Sequence, residues 1–131
     1  MRVMLDTNII ISYILFNNER MDLFFRYLLK HDTLVISNII IDELKEVFDK
    51  KFPHKTDALK NFLEDIEVEH ININLIENHN LFEIRDVKDY PVLYAAIKSK
   101  VDIFVTGDKD FNNLNINFPK IMSVKDYIMA Y

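Results

Sequence analysis

The sequence predicts an α/β fold with a central, mainly parallel sheet, built as a single domain over residues 1–131. Short β-rich segments alternate with longer stretches of helical periodicity, which is the pattern of a parallel sheet covered by helices. The segment 102–106 has an uninterrupted apolar centre, as strands buried on both faces do. The chain has one Gly and no repeat or linker-like tract, so nothing indicates a second domain.

The individual elements follow from local patterning. The predicted strands are the short apolar or alternating segments 2–5, 33–36, 68–73, 102–106 and 120–122. The predicted helices carry apolar residues at helical spacing and cover about 9–16, 21–30, 38–51, 56–66, 90–99 and 124–129. Thr7 and Asn8 can cap the first helix, and Ser37 or Asn38 can cap the third, which Pro53 ends.

Composition limits the classes of protein that fit. Half of the residues are hydrophobic, with ten Phe and six Tyr, so the chain can form a real core. Cysteine is absent, which excludes disulfides, thiolate metal sites and thiol nucleophiles. The N-terminal run Met1-Arg-Val-Met-Leu-Asp6 meets a charge too early for a signal peptide. The longest apolar run, 9–16, is shorter than the roughly 20 residues that span a bilayer. We expect a soluble, cytoplasmic protein with no membrane partner.

The net charge of −5 is unusual for a simple nucleic-acid binder, because such proteins are normally basic. Positive charge is nevertheless concentrated in one stretch. Its basic residues are Lys45, Lys50, Lys51, His54, Lys55 and Lys60. The plainest interpretation of this stretch alone is a solvated helix surface.

Two acids follow buried strands directly. Asp6 comes after Val3-Met-Leu5, and Asp108 follows the strand 102–106 and Gly107. In open α/β sheets, ligands bind outside the carboxyl ends of the strands, so these two side chains can meet in one site. The alternatives are a helix cap for Asp6 and a turn residue for Asp108.

Glu43 is placed by helix geometry. The apolar stripe of its helix consists of Ile40, Ile41, Leu44, Val47 and Phe48. At 100° per residue, Glu43 falls about 40° from Val47, at the edge of that stripe. A carboxylate at the margin of the core needs a partner, which is either a lysine or arginine or a metal ion.

Asp89 lies close to the helix start that Pro91 marks, where capping alone can explain an acid. Asp86 competes with Asp89 for any functional role. Carboxylate oxygens favour hard cations, so a site built from these acids predicts Mg²⁺ or Mn²⁺. The four histidines are scattered without the spacing of zinc ligands. They are His31, His54, His70 and His79.

Taken together, these positions resemble the PIN-domain nucleases. The resemblance is carried by Leu5-Asp-Thr-Asn8, Ile40-Ile-Asp-Glu-Leu44, Asp86-Val-Lys-Asp89 with Val92-Leu-Tyr-Ala-Ala96, and Val105-Thr-Gly-Asp-Lys-Asp-Phe111. It extends over almost the whole chain and is strongest to the PIN-family toxins of toxin–antitoxin pairs. Those toxins often carry Asp-Pro where this chain has Asp86-Val87. The resemblance implies a three-layer α/β/α sandwich and hydrolysis of RNA.

The resemblance also implies roles for individual residues. The expected catalytic and metal-binding residues are Asp6, Glu43, Asp89 and Asp108. The expected supporting residues are Asn8 and Thr106, which would orient the carboxylates, together with Asp86 and the weaker ligand candidate Asp110. A toxin would be inhibited by a small antitoxin lying across the active-site groove.

Other interpretations remain open at this point. A PIN-like domain can be a binding module without catalysis, although such modules lack one or more of the four acids. A haloacid-dehalogenase-like phosphatase needs a second Asp two residues after the first, where this chain has Asn8. The apolar helix around Phe24, Phe25 and Tyr27 packs into the core or provides a homodimer or antitoxin contact.

Overall fold

The computed structural model describes residues 1–131 and places a sheet of five parallel strands at the centre of the molecule. The strands are β1 (Arg2–Leu5), β2 (Thr33–Ser37), β3 (Glu69–Ile71), β4 (Ile103–Val105) and β5 (Lys120–Met122). Their order is β3-β2-β1-β4-β5, so β1 lies between β2 and β4. Every neighbouring pair is parallel, which confirms the predicted sheet.

Helices flank the sheet in a three-layer α/β/α arrangement. They are α1 (Thr7–Leu15), α2 (Glu19–His31), α3 (Asn38–Lys51), α4 (Thr56–Asp65), α5 (Tyr90–Lys98) and α6 (Val124–Ala130). Helix α3 contacts α1, α4 and α5, whereas α2 contacts α6. No helix combines the length and the apolar character that crossing a membrane would require.

The central strands are apolar because they are covered on both sides. Val3 and Met4 of β1 and Phe104 and Val105 of β4 have no exposed surface. Complete burial of an apolar side chain of this size stabilises a fold by about 1.5–3 kcal/mol. The uninterrupted apolar runs seen in the sequence are therefore the strands on which the rest of the fold is built.

The pairing of β1 with β4 brings their carboxyl ends together. Leu5 is paired with Val105, and the Asp6 N–H donates a 2.9 Å hydrogen bond to the Val105 carbonyl. The Thr106 N–H donates to the carbonyl of Met122 in β5 at 3.0 Å. Asp6 and Thr106 consequently leave the sheet side by side at the same edge.

The aromatic side chains of α2 lie in the core. Phe24 and Phe25 are 0% and 1% exposed, and Phe25 stacks on Tyr13 of α1 with ring centroids 3.9 Å apart. Phe24 packs edge-on against Tyr127 of α6. Phe24 and Phe25 are therefore not available for the homodimer or antitoxin contact that the sequence suggested as an alternative to core packing.

Several elements begin or end one or two residues away from the predicted positions, and two of these differences have a clear cause. Helix α1 begins at Thr7 rather than at residue 9, because Asp6 is its N-cap. Strand β3 ends at Ile71 instead of continuing to Ile73. There the Asn38 side chain binds the backbone of Ile73, accepting its N–H at 2.8 Å and donating to its carbonyl at 3.1 Å. This amide takes over the hydrogen bonds that a longer strand would have made.

Candidate active site

Asp6 is a buried carboxylate at the end of β1. One oxygen, Oδ1, accepts the Thr7 N–H at 2.8 Å and caps α1, while Oδ2 accepts the Thr106 hydroxyl at 2.8 Å. Only 7% of the residue is exposed. Burial raises the pKa of Asp6, the charge of Asp108 raises it further, and the two hydrogen bonds oppose both effects. The capping role considered from the sequence therefore occupies one oxygen and leaves the carboxylate in the site.

Thr106 connects Asp6 with Asp108. Its hydroxyl donates to Asp6 Oδ2 and accepts the Asp108 N–H at 3.0 Å. Asp108 caps the short 3₁₀ turn Lys109–Phe111 by accepting the Asp110 N–H at 2.9 Å. A single buried hydroxyl thus sets the relative position of two acids that follow two different strands.

Glu43 approaches the site from α3. The residue is half-buried and forms no ion pair with a lysine or arginine. Burial raises the pKa of Glu43, the Thr7 hydroxyl lowers it, and the charges of Asp6 and Glu46 raise it. The Thr7 hydroxyl is itself buried, and no hydrogen bond of normal geometry satisfies it. A basic partner, the simpler explanation for Glu43, is therefore absent.

The charges of four other acids act on Asp89. Burial, followed by the charges of neighbouring carboxylates, raises its pKa from 3.8 to about 6, and Asp108 has the largest effect among those carboxylates. The other contributing carboxylates are those of Asp6, Asp86 and Glu43. Acids that are far apart in the sequence therefore share one electrostatic environment at the carboxyl edge of the sheet.

Asp86 has a different position from Asp89. Its Oδ1 accepts the Lys88 N–H at 3.0 Å and so caps the 3₁₀ turn Val87–Asp89 that precedes α5. The Asp89 carboxylate accepts no hydrogen bond from the protein. Of the two acids between which the sequence leaves the choice open, only Asp89 lies in the closest group of carboxylates.

Asp110 lies closer to the site than its supporting role suggested. Its two carboxylate oxygens accept hydrogen bonds from the Arg85 Nε at 3.1 and 3.0 Å, and an Arg85 terminal nitrogen lies 2.8 Å from one of them. These contacts lower the pKa of Asp110. Arg85 is the cation that faces the acidic site, and it compensates one of the negative charges.

The donor set suits a hard divalent cation. Side-chain oxygens of Asp89, Asp108 and Asp110 lie within 4.8 Å of one another, so one ion can contact all three. Asp6 and Glu43 are outside this closest group, and Asp6 is joined to it through Thr106. Only carboxylates contribute, and all four histidines are exposed elsewhere. Oxygen ligands of this kind are those that Mg²⁺ and Mn²⁺ prefer.

Sequence reasoning missed some neighbours of the site. The sequence predicts only a capping role for Thr7, although its hydroxyl is buried near Glu43. Arg85 was not singled out, and its position directly before Asp86 is the one signal that could have pointed to it. Asn8 is exposed, and its side chain makes no hydrogen bond to the acids, so its orienting role stays a prediction.

The fold and the site define an α/β protein with a carboxylate-lined ligand site beyond the ends of its central strands. The chain belongs to the PIN domain family, which it matches over residues 2–110. PIN domains are generally metal-dependent nucleases. This assignment confirms the resemblance seen in the sequence and removes the phosphatase alternative.

The chain is also similar to a solved structure. One chain of the crystal structure of VapBC2 from Rickettsia felis, bound to a DNA fragment from their promoter, superposes with a TM-score of 0.72. The two are 24% identical, and the alignment covers 93% of this chain and 97% of that one. No curated protein sequence is significantly similar. The superposition independently establishes the PIN-like fold over nearly the whole chain.

Proposed function

We propose that this protein is a metal-dependent endoribonuclease that hydrolyses phosphodiester bonds of RNA. Its catalytic and metal-binding residues are Asp6, Glu43, Asp89 and Asp108. The observation that carries the proposal is that none of these carboxylates has a lysine or arginine partner, although their charges act on one another. Such a group of acids repels itself at neutral pH, and a bound cation removes that repulsion.

The chain's own residues position the reactants. Asp6 and Asp108, fixed by Thr106, would hold a cation together with Asp89, and Glu43 would bind the attacking water from the α3 side. When bound, Mg²⁺ or Mn²⁺ supplies Lewis acidity that activates water and offsets charge on the phosphate. In the absence of a cation, Asp89 holds a proton on its carboxyl group below a pH of about 6.

We further propose that the protein is the toxin of a toxin–antitoxin pair and acts in the cytoplasm, where RNA is accessible. The motif resemblance to PIN-family toxins supports this role. The similar fold in VapBC2, crystallised with DNA from "their promoter", supports a protein partner for this chain too. That partner would be a small antitoxin whose extended or helical segment covers the acidic site.

A cleavage assay tests the proposal. The protein is incubated with tRNA, mRNA and DNA, each with Mg²⁺, with Mn²⁺ and with a chelator. We expect RNA cleavage only with divalent ion, and a loss of about 10²–10³-fold in Asp6→Asn, equivalent to several kcal/mol of transition-state stabilisation. Asp57→Asn, an exposed acid on α4, is the matched control and should cleave normally.

The main alternative is a PIN-like module that binds RNA or protein without catalysis. It predicts no cleavage under any ionic condition and no effect of divalent ion on the melting temperature. If Asp6→Asn cleaved RNA as fast as the unmodified protein, the assignment of the site would be wrong.

A further inference from the structure

A groove begins at the acidic site and runs along α3. Glu43 lies at its start, Glu46, Lys50 and Lys51 follow along the helix, and Lys88 lines the opposite side. The volume of this α3 groove is about 600 Å³. Lys50 is two helical turns beyond Glu43, which is about 10.5 Å along the axis at 1.5 Å per residue. The groove therefore extends from the proposed site of cleavage over a length of about three stacked nucleotides at 3.4 Å each.

The charge of the α3 groove changes sign along its length. Acids lie beside the site, the exposed Lys50 and Lys51 occupy the far part, and the exposed Lys88 acts on Glu46 from the opposite side. Lys50 binds Glu46 at 2.8 Å, and both side chains are mostly exposed, so this pair is weak. Lys51 and Lys88 have no carboxylate within ion-pairing distance. Two ammonium groups are consequently free to bind an anion.

We propose that the α3 groove binds the sugar–phosphate backbone of single-stranded RNA on one side of the bond to be cut, with Lys51 and Lys88 as its phosphate contacts. The inference rests on the proposed ribonuclease function and adds the course of the substrate strand away from the acids. With a net charge of −5, most of the surface repels a polyanion. A local cationic track next to the site overcomes that repulsion where the substrate must lie.

The composition of the groove favours a nucleic acid over a protein segment. Of its eight lining residues only Ile39 and Val47 are hydrophobic. A bound peptide gains most of its affinity from large side chains seated in pockets, and this groove has no aromatic side chain with which to form one. A phosphate backbone, in contrast, is held by the lysines themselves. The basic stretch noted in the sequence thus gains a function in Lys51, which faces this groove without a carboxylate partner.

A charge-matched pair of double variants tests the proposal. Lys51→Ala/Lys88→Ala removes the two free cations of the groove. Lys30→Ala/Lys125→Ala removes two exposed lysines from α2 and α6, which leaves the same net charge. In the groove variant we expect KM for RNA to rise roughly tenfold with kcat nearly unchanged. Each phosphate contact to a single strand contributes about 0.7 to the slope of log affinity against log salt. Loss of two contacts should therefore make that slope shallower by about 1.4. The control should change neither quantity.

Binding measurements separate this inference from the function on which it rests. Affinity for a single-stranded RNA oligonucleotide is measured in the Asp6→Asn background, so the result does not require cleavage. If RNA binding is weaker in the groove variant and not in the control, the α3 groove binds RNA, even if the unmodified protein is not a nuclease. Two outcomes would overturn the proposal. One is RNA binding that is unchanged in the groove variant. The other is a groove variant that loses binding to a poly-glutamate peptide but not to RNA. Glu46→Gln, which releases Lys50, should strengthen RNA binding, a gain that misfolding cannot produce.

Discussion

The Thr106 hydroxyl and the Asp6 carboxylate are separated by 100 positions in the chain and by 2.8 Å in the structure. The contact exists because β1 and β4 are paired and each ends one residue before the side chain concerned. The same hydroxyl accepts the Asp108 N–H. The relative position of two proposed metal ligands therefore depends on one oxygen atom.

Replacing Thr106 tests this dependence. Thr106→Val preserves the shape of the side chain but removes the donor to Asp6 and the acceptor for Asp108. We expect affinity for Mg²⁺ or Mn²⁺, measured by titration, to fall about 10–100-fold, as losses of such outer hydrogen bonds do. Thr106→Ser keeps the hydroxyl and should bind the ion normally. Equal losses in both variants would indicate a packing effect instead.

The stability of the metal-free protein should depend on pH in a direction set by Asp89. Burial and neighbouring carboxylates raise its pKa from 3.8 to about 6, so between these values the folded state binds more protons than the unfolded state. Stability therefore decreases as the pH rises through this range. We expect the melting temperature in chelator to be lower at pH 7 than at pH 5. Divalent ion should raise it more at pH 7 than at pH 5.

Acids with lowered pKa values do not reverse this trend. Asp110 and Glu69, which are held by Arg85 and Arg2, lose their stabilising contribution only as the pH falls below the range tested. Asp89→Asn should flatten the pH dependence in chelator. A melting temperature that rises from pH 5 to pH 7 in the unmodified, metal-free protein would contradict the prediction.

Asp108 and Asp110 should differ as metal ligands although both lie in the closest group of acids. Arg85 already binds both oxygens of Asp110, whereas the oxygens of Asp108 are engaged only by a backbone N–H. We expect Asp108→Asn to weaken metal binding by more than about 100-fold and Asp110→Asn by less than about tenfold, in titrations followed by melting temperature. The reverse order would make Asp110 the principal ligand.

Asn38 should stabilise the fold through the segment that follows β3. Its amide makes two hydrogen bonds to the backbone of Ile73. At about 0.5–1.5 kcal/mol for each bond, Asn38→Ala should lower the free energy of unfolding by about 1–3 kcal/mol in urea. Asn74→Ala, at an exposed position, should change it by less than about 0.5 kcal/mol. A loss as small as that of Asn74→Ala would show that β3 is held in place by other contacts.

Much of the fold was predictable because its signals are local. The strands around Val3 and Phe104 are short apolar runs, and their burial on both faces follows from that composition. The inward tilt of Glu43 also follows from helix periodicity, since neighbouring turns fix its direction. Strand order alone then brings Asp6 and Asp108 to one edge of the sheet.

The remaining features depend on tertiary contacts that periodicity does not encode. The pairing of Arg85 with Asp110 joins a segment without regular structure to a 3₁₀ turn 25 residues later. The choice between Asp86 and Asp89 required knowing which carboxylate caps the preceding turn. The early end of β3 depended on the Asn38 amide replacing a strand partner, which no propensity predicts.

The position of β4 late in the chain also bears on how the protein is made. Until the ribosome has released residues beyond Asp108, the growing chain cannot pair β4 with β1, and Asp6 lacks its neighbours. A product of interrupted translation that stops before Thr106 consequently lacks both Asp108 and the hydroxyl that binds Asp6. Assembly of the proposed site during synthesis therefore has to wait for β4.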